Sequence, residues 1–412
     1  MTPEAQSAAF REAFTPSLPD RLGVAVSGGG DSMALLCLAA DWAAEGGPPV
    51  MAVTVDHRLR PEAAEEARMV ARFCKTLAVP HQTLVWDHAG IEGNLQDAAR
   101  RARYRLITGW ARDNGVTHVA TGHTADDQAE CVLMGLARAA GIDGLSGMRP
   151  SWIDAGIVWM RPLLGMTRAA LRDLLTARGV NWAEDPTNED DRYTRVKARK
   201  ALQALAPLGV TVSDLATVAE NLAEARQVVA EATMAAADRV AREAGGEVIF
   251  DREQFLRLAP EVARRLLVAA LQWLSGADYP PRGDAVQRLK AAVRERRDAT
   301  LWGCKLAVRG NDVRLTREPK AVSGMEGKTD AIWDNRWRLT GPHEAGLTVR
   351  ALGSAGLRQC PDGREIGFSR AALVVSPAVW RDETLISAPL AGFSNGWGAE
   401  IVAGFRSFLI SH

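Results

Sequence analysis

Six consecutive residues, Ser27-Gly28-Gly29-Gly30-Asp31-Ser32, stand between a short apolar run, Leu22–Val26, and an apolar stretch of helical spacing that begins at Met33. Three successive glycines let a backbone turn sharply and come close to a ligand. Two hydroxyls, a file of backbone N–H groups and the positive end of the following helix can together surround a phosphate. A bare run of glycines is more often a ligand-free turn. Here the serines, the aspartate and the strand–loop–helix context coincide, which favours phosphate. No lysine follows the glycines, so this is not the GxxxxGK[ST] loop of common triphosphate hydrolases, nor is it a dinucleotide-type GxGxxG.

A second constellation is Thr121-Gly122-His123-Thr124-Ala125-Asp126-Asp127-Gln128-Ala129-Glu130. Asp126 and Glu130 are four apart and Asp127 and Glu130 three apart, so a helix opened by Asp126 would gather the carboxylates on one face. N-capping by Asp126 accounts for one of them. Three together raise one another's pKa unless a cation is bound among them.

Two basic stretches follow from the same reading. Arg100, Arg101, Arg103 and Arg105 lie on a helical segment, with Arg101 and Arg105 spaced to share a stripe. Arg192, Arg195, Lys197, Arg199 and Lys200 follow the acidic segment Glu184–Asp191 and could grip a nucleic-acid backbone, which positions without specifying sequence. For any single member, a solvated helix end is as good a reading. His57, His118 and His123 fall near strands without the Cys/His spacing of a zinc site. His123 is expected to line a nucleotide site and His118 to be structural. Trp182 is placed to stack on a base.

The elements that must position these residues alternate. Strand-like runs at Leu22–Val26, Val50–Val55, His81–Trp86 and His118–Thr121 are separated by helix-like stretches at Met33–Ala44, Glu62–Leu77, Asn94–Arg112 and Ala125–Ala139. That is the pattern of βαβ units and a parallel sheet, whose loops at the strand C-termini share one edge. Further on, Ser213–Ala244 predicts a long helix, Pro260–Leu274 and Arg282–Arg296 shorter ones, and Ala299–Leu315 a β segment. Thr316–Asp330 reads as a linker, followed by β-like pieces at Arg336–Leu339, Leu347–Ala351 and Thr384–Ile386. The expected fold class is α/β: a parallel-sheet N-terminal domain over 1–205, a small α-rich middle domain over 206–318 and a small β-rich C-terminal domain over 329–412.

The whole chain agrees with several domains. It has 412 residues, 47% of them hydrophobic and 24% charged. Fifty basic residues offset fifty acidic ones, so bulk charge gives no support to an RNA partner and local patches must carry phosphate contacts. The five cysteines are scattered, with no CxxC, which points to neither a disulfide framework nor a zinc knuckle. With no signal-peptide pattern and no membrane-spanning run, a cytoplasmic protein with no membrane partner is expected.

The SGGGDS loop after a first strand resembles the pyrophosphate-binding loop of the N-type ATP pyrophosphatases. Val55-Asp56-His57-Arg58-Leu59-Arg60-Pro61-Glu62, Gly93-Asn94-Leu95-Gln96 leading to Arg100–Tyr104, the Thr121–Glu130 block, Gly141–Met148, Arg161-Pro162-Leu163-Leu164 and Glu184-Asp185-Pro186-Thr187-Asn188 resemble, in order, blocks of the tRNA(Ile)-lysidine synthetases. Cys131 departs from the threonine usual there. The resemblance covers residues 22 to about 200. It implies a ligase that uses ATP with Mg2+, free L-lysine and a CAU-anticodon tRNA(Ile). It further implies a loop Ser27–Ser32 with His123 around ATP, Asp31 and Asp127 toward magnesium, Asp126 and Glu130 toward lysine, and Arg103 on ATP phosphate or the target base. Arg101, Asn188, Arg195 and Arg199 would contact tRNA. The oligomeric state stays open, a homodimer among the states admitted. A tRNA-thiolating relative would need paired cysteines, a glutamine-dependent synthetase an amidotransferase, and a non-catalytic ATP sensor no acidic cluster.

Overall fold

The computed structural model describes residues 1–59, 62–87, 95–184, 194–277, 279–281, 283–360 and 367–411. The chain divides into two compact units, Met1–Arg226 and Gln227–His412.

The first unit opens with helix α1 (Pro3–Glu12) and then alternates β1 (Leu22–Ala25), α2 (Gly30–Ala44), β2 (Val50–Asp56), α3 (Ala63–Thr76), β3 (His81–Val85), α4 (Leu95–Asp113), β4 (His118–Thr121) and α5 (Ala125–Leu136). A short α6 (Ile142–Leu145), a hairpin of β5 (Ser151–Asp154) and β6 (Ile157–Met160), α7 (Arg168–Ala177), α8 (Thr194–Leu205) and the start of the long α9 (Val212–Val240) complete it. The sheet order is β3-β2-β1-β4-β6-β5. Every pairing is parallel except β5 with β6, an edge hairpin that the strand–helix alternation did not reveal.

Alternate residues of one strand feed opposite faces, as the pleat requires. Val24 and Ala52 join one core cluster with Met33, Leu35 and Leu36 of α2 and Leu171, Leu174 and Leu175 of α7. Val53 joins the other with Ile107, Trp110, Val119 and Trp159. Both faces of the sheet are therefore covered, and only its edges and loop ends can meet a ligand.

In the second unit the predicted helix through Ala244 ends at Val240. Residues Ala241–Ala244 form β7, paired antiparallel with β8 (Glu247–Asp251) across the Gly245-Gly246 turn. Both glycines hold positive φ, which turns the chain back where a helix would have continued. Then follow α10 (Arg252–Leu256), α11 (Pro260–Ser275), α12 (Gly283–Arg294), β9 (Ala299–Leu301), β10 (Cys304–Arg309) and β11 (Asp312–Arg317). The helical middle region thus carries a five-stranded sheet, β7-β8-β11-β10-β9. The stretch read as a linker contains α13 (Pro319–Val322) and β12 (Glu326–Lys328), held by burial of Val322 and by pairing of Glu326 opposite Arg350. Beyond it, antiparallel strands build a separate core around Trp333, Trp337, Val349, Val379 and Trp380. No single helix among the described residues is long and apolar enough to cross a membrane.

Candidate active site

The loop after β1 is shaped by its own backbone and two hydroxyls. Gly28 has φ +91°, a conformation that side chains rarely adopt. The Ser27 N–H donates to Ser32 Oγ at 3.1 Å, and the Ser32 hydroxyl donates to the Gly29 carbonyl at 2.9 Å. Ser32 therefore braces the loop, while Ser27 stays exposed. Helix α2 starts at Gly30 behind an N-cap, Gly29, that has no side chain to cap it. In its first turn the Ser32 N–H turns back to the Gly29 carbonyl at 3.1 Å, while those of Gly30 and Asp31 precede any intrahelical acceptor and suit an anion. The neighbouring strand end comes very close: a Cβ on Gly122 would lie 3.1 Å from the backbone of Asp31. On the other side the Ala183 N–H donates to the Gly28 carbonyl at 2.9 Å, and Trp182 packs over Gly30.

Beside the loop stands an acidic wall. Asp127 Oδ2 accepts from the Thr124 N–H at 2.9 Å and from the Thr124 hydroxyl at 3.1 Å. Thr124 is the N-cap of α5 and Asp127 closes its capping box, so the capping role expected of Asp126 belongs to Asp127, three residues into the helix. Asp126 instead accepts the backbone N–H of Arg168 at 2.7 Å, which ties the start of α5 to the start of α7. Glu130 is buried on the next turn; its Oε1 accepts from Arg199 Nε at 2.6 Å, and its Oε2 has no hydrogen-bond partner among the described residues. Arg195 reaches Asp127 Oδ1 at 3.2 Å.

The cation expected among the carboxylates is therefore supplied first by arginines. Arg168, which sequence reasoning passed over, lies 3.1 Å from Asp31, 3.8 Å from Asp127, 3.7 Å from Glu130 and 4.0 Å from Asp126. Burial pushes the Asp31 carboxyl above its ordinary value, against the opposing pull of Arg168. The one available signal was local: Thr167 caps α7 and Arg168 is its first residue, just beyond the Arg161–Leu164 motif.

The third wall comes from α4 and the ends of β2 and β4. Arg103 and Arg100 lie over the Tyr104 ring at 5.8 and 5.1 Å. Burial, then Arg161, depresses the His123 pKa to about 3, so its imidazole is neutral; its Nδ1 is 3.0 Å from the Thr121 hydroxyl. His57 is likewise held below its usual value by burial and by Arg103, and its Nδ1 is buried without a hydrogen-bond partner among the described residues.

Together these walls enclose a cavity of about 1170 Å³ at the C-terminal edge of the sheet. Of the expected residues, Ser27, Gly29, Gly30, Asp31, Ser32, Arg103, His123, Asp127, Arg195 and Arg199 line it. Gly28 supports the loop from a buried position, and Asp126 and Glu130 act on the lining through Arg168 and Arg199. Arg195 and Arg199, expected on a tRNA-gripping stripe, turn toward the acidic wall. Arg101 is exposed, paired with Asp97 at 3.0 Å and not part of the lining. Asn188, with Gly93, Asn94 and Asp185–Thr187 of the recognised blocks, lies outside the described residues. His118 is buried against Ser17 at 2.9 Å, as a structural histidine should be.

Residues 3–205 match the PP-loop domain family. The chain is 50% identical over 406 residues to the tRNA(Ile)-lysidine synthase of Ruegeria pomeroyi, covering 98% of this chain and 97% of that one. The chain belongs to the tRNA(Ile)-lysidine synthase family. A second relative of that name, from Bradyrhizobium sp. strain BTAi1, is 42% identical over 294 residues, 68% of this chain and 80% of its own. Among solved structures, the U34-tRNA thiolase NcsA from Methanococcus maripaludis covers 54% of this chain and 78% of its own, with TM-score 0.47 and 13% identity. As a lysidine synthase family member the chain is a tRNA-modifying ligase with an ATP-using PP-loop domain.

Proposed function

We propose that the protein joins free L-lysine to C2 of the wobble cytidine of CAU-anticodon tRNA(Ile), through an adenylated tRNA intermediate. The cytidine O2 attacks the α-phosphate of ATP and pyrophosphate leaves. The ε-amine of lysine then attacks C2, forming a C–N bond; the C2–O bond breaks, AMP departs with that oxygen, and the amine gives up a proton. The observation that carries this reading is near-full-length 50% identity to a lysidine synthase, joined to a cavity with a phosphate loop at one wall and buried carboxylates at the next.

The chain's residues divide the work by charge. Loop N–H groups and Ser27 receive the leaving pyrophosphate, and Arg103 sits where it can meet an α-phosphate or the target base. Neutral His123 and His57 present imidazole nitrogens without adding positive charge. Glu130 Oε2, buried and without a hydrogen-bond partner among the described residues, is an acceptor suited to an ammonium, with Asp126 one turn away. Asp31 and Asp127 are the donors for magnesium. Among the described residues no three His, Cys, Asp or Glu side chains form a metal cage, so these carboxylates fit an ion whose other ligands come from the nucleotide. When bound, magnesium would neutralise charge on the phosphates. Exposed Arg101 and the outer edge of Arg195, 43% exposed, face solvent where tRNA phosphates can approach. Asn188, also assigned to tRNA, and segments 206–318 and 329–412, proposed as two separate tRNA-binding domains, complete the proposed tRNA grip.

The test is to incubate the protein with ATP, lysine and CAU-anticodon tRNA and to analyse the wobble nucleoside by mass spectrometry. A lysine adduct on that nucleoside is expected; intact tRNA without one, in a preparation that binds ATP, would sink the proposal.

A further inference from the structure

We propose that Arg168 is a built-in surrogate cation: its guanidinium holds the place between Asp31 and Asp127, so that a divalent ion enters with the nucleotide and not ahead of it. This rests on the reading above that magnesium meets Asp31 and Asp127 when ATP is bound.

The argument begins with how Arg168 is anchored. Its N–H donates to Asp126 Oδ2 at 2.7 Å, and the Ala125 N–H donates to the Met166 carbonyl at 2.8 Å. The starts of α5 and α7 are thus stitched backbone to side chain and backbone to backbone. The root of Arg168 is fixed by these bonds, while its head is shared. Only the Nε contact with Asp31, at 3.1 Å, is a hydrogen bond; Asp127, Glu130 and Asp126 stand at 3.7 to 4.0 Å. Arg195 and Arg199 hydrogen-bond Asp127 and Glu130 respectively.

A planar, weakly hydrated guanidinium can stay between carboxylates at modest desolvation cost, whereas magnesium gives up its waters reluctantly and demands near-octahedral ligands. The two cations cannot share the place, because each would sit within a few ångströms of the other in a partly buried cleft. A nucleotide resolves the conflict: its phosphates supply further ligands to the ion and negative charge for the displaced guanidinium. Arg168 is therefore a positioning residue that keeps the loop aspartate and the acidic wall together.

Manganese binding to the full-length protein, read by electron paramagnetic resonance of the free ion, tests this directly. Wild type without nucleotide should leave Mn2+ free, and with a non-hydrolysable ATP analogue should take it up. Arg168→Gln should bind Mn2+ without nucleotide, about tenfold or more tightly than wild type, because the cluster loses its internal counter-charge. Arg168→Lys keeps the charge and should still exclude the ion. The double variant Arg168→Gln/Asp31→Asn should lose the acquired binding, which a merely structural role for Arg168 would not predict. Tight Mn2+ binding by nucleotide-free wild type overturns the proposal whether or not Arg168→Gln folds, as does a folded Arg168→Gln that gains none. Wild type that refuses Mn2+ even with the analogue overturns the underlying magnesium reading, and that outcome is distinct from the other two.

Discussion

The phosphate loop is made by six consecutive residues, whereas the acidic wall beside it draws on α5, α7 and α8, whose contributing side chains run from Asp126 to Arg199. In the loop, positive φ at Gly28 and two serine hydroxyls within five positions do the shaping. In the wall, every carboxylate also has a partner far along the chain: Arg168 lies 42 residues from Asp126, Arg195 lies 68 from Asp127 and Arg199 lies 69 from Glu130. A locally built site tolerates loss of a side chain but not of a backbone conformation. A site built by tertiary contacts fails in the opposite way.

Removing the buried carboxylate should give the largest effect. Glu130→Ala removes the buried carboxylate that accepts from Arg199 and stands 3.7 Å from Arg168, and should cost about 3–5 kcal/mol of stability, as broken buried ion pairs do. Ser27→Ala, on the exposed side of the loop, should cost less than about 1 kcal/mol. Urea denaturation of the two variants compares them, and equal losses would erase the distinction between the halves.

The loop should break through its backbone instead. Gly28→Ala places a side chain at φ +91° and should lower ATP affinity roughly tenfold, in line with a strain of about 1–2 kcal/mol. A nucleotide titration measures this, and an unchanged dissociation constant would show that the turn does not govern phosphate binding.

Acidity probes the edge between the two. The folded protein keeps His123 neutral down to about pH 3, while the ordinary value is 6.5. Above that ordinary value both states are neutral and nothing changes. As pH falls below it, the unfolded chain takes up a proton that the folded one refuses, so stability drops by up to about 1.4 kcal/mol per unit. Thermal melting between pH 7 and pH 5 should show a decline that His123→Gln flattens; parallel curves would mean that the imidazole does not resist its proton.

Arg101→Ala should be the mildest change. Its pairing with Asp97 is exposed, and such pairs are worth at most about 1 kcal/mol. If it touches a tRNA phosphate, the slope of log affinity against log salt should fall by about one, with stability nearly unchanged. An unaltered salt slope would remove it from the tRNA surface.

Much of the first unit was legible because its signals are short-ranged. The strands from Leu22 and His118 and the helices behind them follow from apolar runs and helical spacing, and the observed bounds differ by a few residues at most. The β5–β6 hairpin was not legible, since a two-stranded edge has no crossover helix to announce it. Nor was β7, because Ala241–Ala244 has helical composition and becomes a strand only by pairing with β8. The same limit applied within the site: the acids and the loop were visible, but their partners were not.

By itself the sequence determined the phosphate loop, since a strand, SGGGDS and a helix carry their conformation in adjacent residues. It also determined that three carboxylates would gather, because helical periodicity puts Asp126, Asp127 and Glu130 on one turn and the next. Only the tertiary structure decided that Arg168, Arg195 and Arg199 answer their charge. The physical reason is distance along the chain: hydrogen bonds to neighbouring residues are written in local order, whereas a counter-ion from another helix is chosen by the packing that brings two helix ends together.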